Sequence, residues 1–242
     1  MRAYLRFELR RLVRDPRLML LSVLGPVATY LIFSGWSAGD RLEGLAAPAA
    51  VMIGLAGYGA IAGVLTVGSA VSQERASGWL HQLRTTPLPT GHVVAAKALV
   101  GSLTAIPPVI AVGVAAALQH HVGLSAGRWV ALLLLMWIGT APFALLGLAI
   151  GYGLSPQMAV PVTFLAFLAL SALGGLLAPA AYFPDGLRSL AHALPTYRYA
   201  ELGWRSAAGH PPTASGLAVL VAWTAAFALV ASWAYRRSTA RR

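Results

Sequence analysis

From residue 129 to residue 184 the chain contains no Asp, Glu, Lys or Arg. As a single α-helix that run would be roughly 84 Å long, nearly three times the thickness of a bilayer's hydrocarbon core. It has to fold back on itself, and Gly151-Tyr152-Gly153-Leu154-Ser155-Pro156 supplies the breakers for a tight reversal. Four more uncharged runs, 18–39, 44–73, 98–127 and 206–235, are each long enough for one crossing of about 20 residues. The pattern predicts six spanning helices, at about 18–36, 49–72, 93–118, 129–153, 157–179 and 213–235. A transmembrane β-barrel is excluded, because the runs are continuously apolar rather than alternating. Composition agrees: 58% of residues are hydrophobic and 10% charged, against roughly a quarter charged in a soluble domain. Six arginines precede the first span and no small-residue cleavage site is followed by a soluble domain, so it reads as a retained span rather than a signal peptide.

The net charge of +11 is first a topology signal. Six spans put both termini on one side. That side carries the six arginines of residues 2–17, then Arg75, Arg84 and Lys97, then Arg236, Arg237, Arg241 and Arg242; the other carries only Arg41, Arg128, Arg188, Arg198 and Arg205. Both termini are therefore expected in the cytoplasm of a multi-pass cell-membrane protein. The basic residues are read as topology and lipid-headgroup contacts, with no nucleic-acid partner.

The connecting pieces differ in character. Arg2, Arg6, Arg10 and Arg14 form a stripe at four-residue spacing, with Leu5, Leu9, Leu12 and Val13 on another face, predicting an interfacial amphipathic helix over 1–17 that ends at Asp15-Pro16. The cytoplasmic loop 73–90 places Trp79, Leu80 and Leu83 on one side of a short helix that Pro87 and Pro89 stop. These apolar residues press on the bilayer or enter a groove on a partner protein. The piece 181–212 predicts two short amphipathic helices, one N-capped by Asp185 and ended by Pro195, the next marked by Tyr197, Tyr199, Leu202 and Trp204. Two half-length helices between spans read as a re-entrant hairpin in the outer leaflet, tolerable only if packed on protein or lining a cavity. Glycine pairs at four-residue spacing, Gly59 with Gly63 and Gly147 with Gly151, predict close helix approach. Trp36, Trp129 and Trp204 read as an outer aromatic belt, with Trp233 at the inner interface.

Much chemistry is missing. The chain has no cysteine, no P-loop, no His-Glu-x-x-His and no Gly-x-Ser-x-Gly. No span carries a carboxylate, lysine or arginine in its central part, which weighs against ion-coupled transport. His120 and His121 read as solvated loop histidines rather than metal ligands. No catalytic residue and no metal site is assigned.

The segment Glu74-Arg75 … Ser77-Gly78 … Leu80 … Gln82-Leu83 … Thr86-Pro87-Leu88, followed by Lys97, resembles the signature of type-2 ATP-binding-cassette (ABC) exporter permeases. That pattern runs Glu-Arg-Glu-x-Gly-Thr-Leu-Glu-x-Leu, then Thr-Pro-Leu and a Gly-Lys pair; Ala76, Trp79, His81 and Arg84 depart from it. The amphipathic N-terminus, six spans and re-entrant pair with Phe183-Pro184 and Leu194-Pro195 extend the likeness to the whole chain, read as one permease domain, 1–242. The small loops resemble the drug-efflux-like and lipid or glycoconjugate branches.

The resemblance implies an all-α permease subunit that binds no cofactor itself, with ATP and magnesium held by two copies of a separate nucleotide-binding ATPase, and a second permease chain completing the exporter. It implies that Glu74, Arg75, Gly78, Trp79, Leu80, Leu83, Thr86 and Pro87 couple to the ATPase. Arg2, Arg6, Arg10 and Arg14 would lie at the interface, and Phe183, Pro184, Leu194, Pro195 and Tyr197 would help close an outer gate. The cargo implied is hydrophobic or amphipathic. Two other readings are a non-transporting membrane anchor for an ATPase and a lipid-modifying membrane enzyme.

Overall fold

The computed structural model describes residues 16–35, 41–77, 97–177 and 180–240. Its helices are α1 (Pro16–Phe33), α2 (Ala47–Ala76), α3 (Lys97–His120), α4 (Ala126–Ile138), α5 (Ala141–Gly153), α6 (Pro156–Leu173), α7 (Asp185–Ala193), α8 (Pro195–Ala208) and α9 (Ala214–Ala240). Five helical stretches are long and apolar enough to cross a membrane: α2, α3, α4 with α5, α6, and α9. The apolar part of α1 with described side chains, Ser22–Phe33, is shorter.

Helix α2 is the axis of the bundle. It packs against α1, α3, α5, α6 and α8, and most of its apolar window is buried. Such crowding needs small residues at the crossings. A Cβ on Gly68 would enter the carbonyl of Gly147, and one on Gly151 the carbonyl of Gly68, so α2 and α5 meet backbone to backbone. At Gly59 a Cβ would lie 2.7 Å from Pro108 Cβ and 2.8 Å from Ser22 O. Pro26, four residues on, has no N–H to donate to the Ser22 carbonyl. Both predicted glycine pairs thus serve packing within the chain.

Proline sets the irregularities. Pro107 and Pro108 cannot donate to the preceding turn of α3, which tightens into a 3-10 turn at Leu103–Ala105. Pro142 leaves the carbonyl of Ile138 without its donor, and the helix expected to run unbroken over 129–153 divides at Gly139–Thr140. The reversal predicted near Gly151–Pro156 falls at Leu154–Ser155. The next span is shorter than the expected 157–179: α6 stops at Leu173, and Gly175 takes a left-handed φ of 78° while Leu176 N–H donates to Ser171 O.

The connections expected on the outer side are built more tightly than the sequence suggests. Arg41–Leu42 and Leu45–Ala46 pair as a two-rung hairpin, the one strand element among the described residues. Glu43 and Gly44 turn it with φ of 52° and 78°, the backbone of a type I′ turn. Both short helices of 181–212 form, but Asp185 is the first residue of α7 and Pro184 occupies its cap. Trp204 is 4% exposed and donates from Nε1 to Ala50 O, so it belongs to the core rather than to an aromatic belt. Trp233 is exposed on α9 beneath the Arg237 guanidinium.

Candidate functional site at the base of the 78–96 segment

The last turn of α2 carries charge inward. The helix continues through Ala76, beyond the expected end at 72, so Glu74 and Arg75 are helical. Glu74 accepts a hydrogen bond from Lys97 Nζ, 2.5 Å from its Oε2, and the lysine and glutamate side chains are 3% and 7% exposed. A carboxylate in the final turn faces the negative end of the helix dipole, and the ammonium offsets that repulsion. The pair ties the end of α2 to the start of the described part of α3. It thereby closes the base of everything between them.

Arg75 points to a third helix. Its Nη2 donates to Leu154 O at 2.7 Å and its Nη1 to Tyr152 O, two carbonyls at the C-terminal end of α5. Those carbonyls have no partner within their own helix, and a guanidinium answers both the hydrogen-bond deficit and the dipole. Tyr152 in turn packs edge-on against Tyr235 of α9. A small apolar cluster of Val71, Leu148, Ala149, Tyr152, Ala231 and Ala234 sits just above. Displacement of the segment's base would therefore reach α2, α3, α5 and α9 together.

Of the residues assigned to ATPase contact, Glu74 and Arg75 are at this base, each engaged inside the chain. Gly78, Trp79, Leu80, Leu83, Thr86 and Pro87 lie outside the described residues, as do Arg2, Arg6, Arg10 and Arg14. Lys97 was visible in the sequence only as part of the family signature. Its pairing partner twenty-three positions earlier has no periodic signal.

The five residues assigned to an outer gate differ in burial. Pro195 and Tyr197 are buried at the start of α8, Phe183 and Leu194 are half-buried, and Pro184 is exposed. Tyr197 donates to Glu43 Oε2 at 3.4 Å and stacks on His192 with ring centroids 4.3 Å apart. Burial, with the Glu43 carboxylate beside it, pushes the Tyr197 phenol up to about 12. Arg198 pairs with Glu201 at 2.8 Å, and Thr213 Oγ1 donates to the same carboxylate. Glu43 and Glu201 carried no motif in the sequence; only the hairpin and α8 bring them to one place.

A cavity of about 450 Å³ opens between α1, α2 and α6. Tyr58, Leu65, Val160, Phe164 and Phe167 form its walls, with hydroxyls from Ser22, Thr66, Ser69 and Thr163 and no charged group. Among the described residues no group of three His, Cys, Asp or Glu side chains could hold a metal. His120 bonds Ser34 through Nε2 at 2.9 Å.

Comparison with known proteins joins this geometry to a family. The model of the ABC-2 type transporter membrane family matches residues 1–203. Over 234 residues, 96% of each chain, the sequence is 25% identical to a Bacillus subtilis (strain 168) protein named "Putative transport permease YvfS". A polytopic helical chain matched over most of its length by that model is a multi-pass membrane protein and belongs to the ABC-2 type transporter permease family.

Proposed function

We propose that this chain is the membrane subunit of an ATP-driven exporter, in which a separate ATPase pushes on the 78–96 segment. The observation that carries the reading is the clamp at its base: Glu74–Lys97 joins α2 to α3, and Arg75 joins α2 to the end of α5. A load applied to the segment is thereby shared by several helices, which suits a rigid-body switch between two packings. Trp79, Leu80 and Leu83 supply the apolar face for a groove on the ATPase, with Gly78, Thr86 and Pro87 shaping its ends. Two ATPase copies hold ATP and magnesium, and a second permease chain completes the complex.

In this reading α1 is a sixth span, both termini are cytoplasmic and the membrane is the cell membrane. Residues 1–17, with Arg2, Arg6, Arg10 and Arg14, lie at the inner interface. Helices α7 and α8 form a re-entrant outer pair whose Tyr197 and Pro195 help close the outer end. The uncharged, aromatic cavity between α1, α2 and α6 favours a hydrophobic or amphipathic cargo, drug-like or lipid-like.

The test is reconstitution of the chain with its ATPase in proteoliposomes. ATP-dependent movement of an amphipathic dye is expected, and Trp79→Ala with Leu83→Ala abolishes ATPase binding while leaving the monodisperse permease intact. ATPase binding without movement of any cargo would favour the membrane-anchor reading. Retention of the ATPase by the double variant would remove the proposed contact.

A further inference from the structure

A second cavity follows the same groove toward the outer surface. It measures about 430 Å³ and lies between α1, α2, the Glu43 hairpin and the residues after α6. Its position along α2, Ala50 to Leu55, is about one turn beyond the Tyr58 that lines the inner cavity. The walls are mostly apolar, with Phe33, Tyr182 and Trp204 among them, and Glu43 is the one residue of formal charge in the lining.

The state of Glu43 is what makes the cavity informative. No Arg or Lys among the described residues forms an ion pair with it, Arg41 of the same hairpin included. Tyr197 occupies Oε2 at 3.4 Å, which leaves most of a carboxylate's acceptor capacity unused. Its nearest charges oppose one another: His192 when protonated favours the anion, and Glu201 disfavours it. The hairpin holds the residue at a φ of 52°, a conformation uncommon for glutamate. Simple packing at that position would be served by an apolar residue, and turn geometry by Asn or Gly.

From this arrangement we infer that the outer cavity is a binding site for a lipophilic organic cation, its charge on Glu43 and its apolar body against Phe33, Tyr182 and Trp204. An acidic residue at the wall of an apolar, aromatic-lined cavity offers both attractions such a molecule uses, ion pairing and cation–π contact. A neutral lipid would leave the carboxylate desolvated and unpaired, and an anionic one would be repelled. The inference deepens the exporter reading by assigning a charge class to the cargo, and it rests on that reading only for the direction of movement.

The experiment is equilibrium binding of radiolabelled tetraphenylphosphonium to the purified full chain in phosphatidylcholine nanodiscs, with triphenylphosphine oxide as the neutral competitor. The wild type is expected to bind the cation and to release it at least tenfold less readily to the neutral analogue than to unlabelled cation. Glu43→Gln is expected to lower affinity for the cation tenfold or more, with unchanged size-exclusion profile, while Glu43→Asp retains most of it. Tyr182→Leu alters a side chain that is 63% exposed, so folding is safe, and is expected to weaken binding several-fold. Unchanged affinity in Glu43→Gln, or in Tyr182→Leu should the first fail to fold, overturns the inference, and so does equal competition by the neutral analogue. No ATPase is present in this assay. Binding that survives while ATP-driven transport fails would therefore sink the exporter reading alone.

Discussion

Breaking the Glu74–Lys97 pair from one side should cost far more than breaking it from both. Exposed ion pairs contribute about 0–1 kcal/mol, but side chains only 3% and 7% exposed belong to the other regime. Removing one partner of a buried pair leaves the second charge desolvated and uncompensated, at about 3–5 kcal/mol. Lys97→Met takes the ammonium away from the buried Glu74 carboxylate, with the helix dipole of α2 against that charge. At about 1.4 kcal/mol per factor of ten, the unfolding constant should rise by roughly two to three and a half powers of ten. Glu74→Met/Lys97→Met removes both charges and should lie within about 1 kcal/mol of wild type, since apolar replacements of buried pairs are often neutral. The cycle is read by SDS-titrated unfolding in mixed micelles, following helicity. Two single variants near wild type, or a double variant as unstable as the sum of the singles, would refute a buried, mutually dependent pair.

Three other outcomes follow from the packing and the outer cluster. Gly68→Ala drives a methyl into the Gly147 carbonyl and should destabilise by about 1–3 kcal/mol through overpacking; the same unfolding titration checks it, with Gly127→Ala, in open space, as the neutral control. Trp204→Phe removes the Nε1–H donor to Ala50 O and should cost about 1 kcal/mol plus the lost ring volume, whereas Trp204→Ala should cost roughly 3–5 kcal/mol. Burial raises the Glu43 carboxyl above its ordinary range, against the lowering by Tyr197 and His192. Cation binding needs the ionised form, so affinity should be full above that raised pKa and fall as pH drops through it. The loss should begin at a higher pH than for a free glutamate. A pH titration of tetraphenylphosphonium binding that breaks at or below the ordinary glutamate range would contradict the burial argument.

The spans were legible because a bilayer reduces folding to one requirement, a long run without charge, and five of the helical stretches answer it among the described residues. The finer boundaries were set by local chemistry that hydropathy averages away. Gly174-Gly175 ended α6 before the uncharged run did, because Gly175 could take the left-handed cap. Pro142 split one expected helix in two, and its effect is readable only when the carbonyl four residues earlier is considered. Trp204 looked like a belt residue because periodicity cannot distinguish a headgroup from the core that α8 packs against. The site was half legible: the family signature pointed to Glu74 and Arg75, but not to their engagement with Lys97 and with the α5 carbonyls. Those contacts join residues twenty-three and nearly eighty positions apart. Nothing in local sequence encodes such meetings; the Arg75 contacts follow from α2 and α5 being able to touch at Gly68, and the Glu74–Lys97 contact from α3 packing along α2.

Stability does not by itself account for a charged pair at the base of the 78–96 segment. Methionines at 74 and 97 would hold α2 to α3 without the desolvation cost of several kcal/mol per ion. What an apolar contact lacks is direction. Two flexible thioethers can slide past one another by an ångström at little cost, whereas an ammonium 2.5 Å from a carboxylate oxygen fixes one register of α2 on α3. On the exporter reading proposed above, a lever that must pass a small displacement to four helices is useful only if its base does not slip. The Glu74→Met/Lys97→Met variant should therefore separate two properties that single substitutions confound. It should unfold like wild type and bind the ATPase, yet ATP hydrolysis in proteoliposomes should drive cargo at a small fraction of the wild-type rate. Wild-type transport per ATP by this variant would mean that the pair is a packing element, and that the push is carried elsewhere.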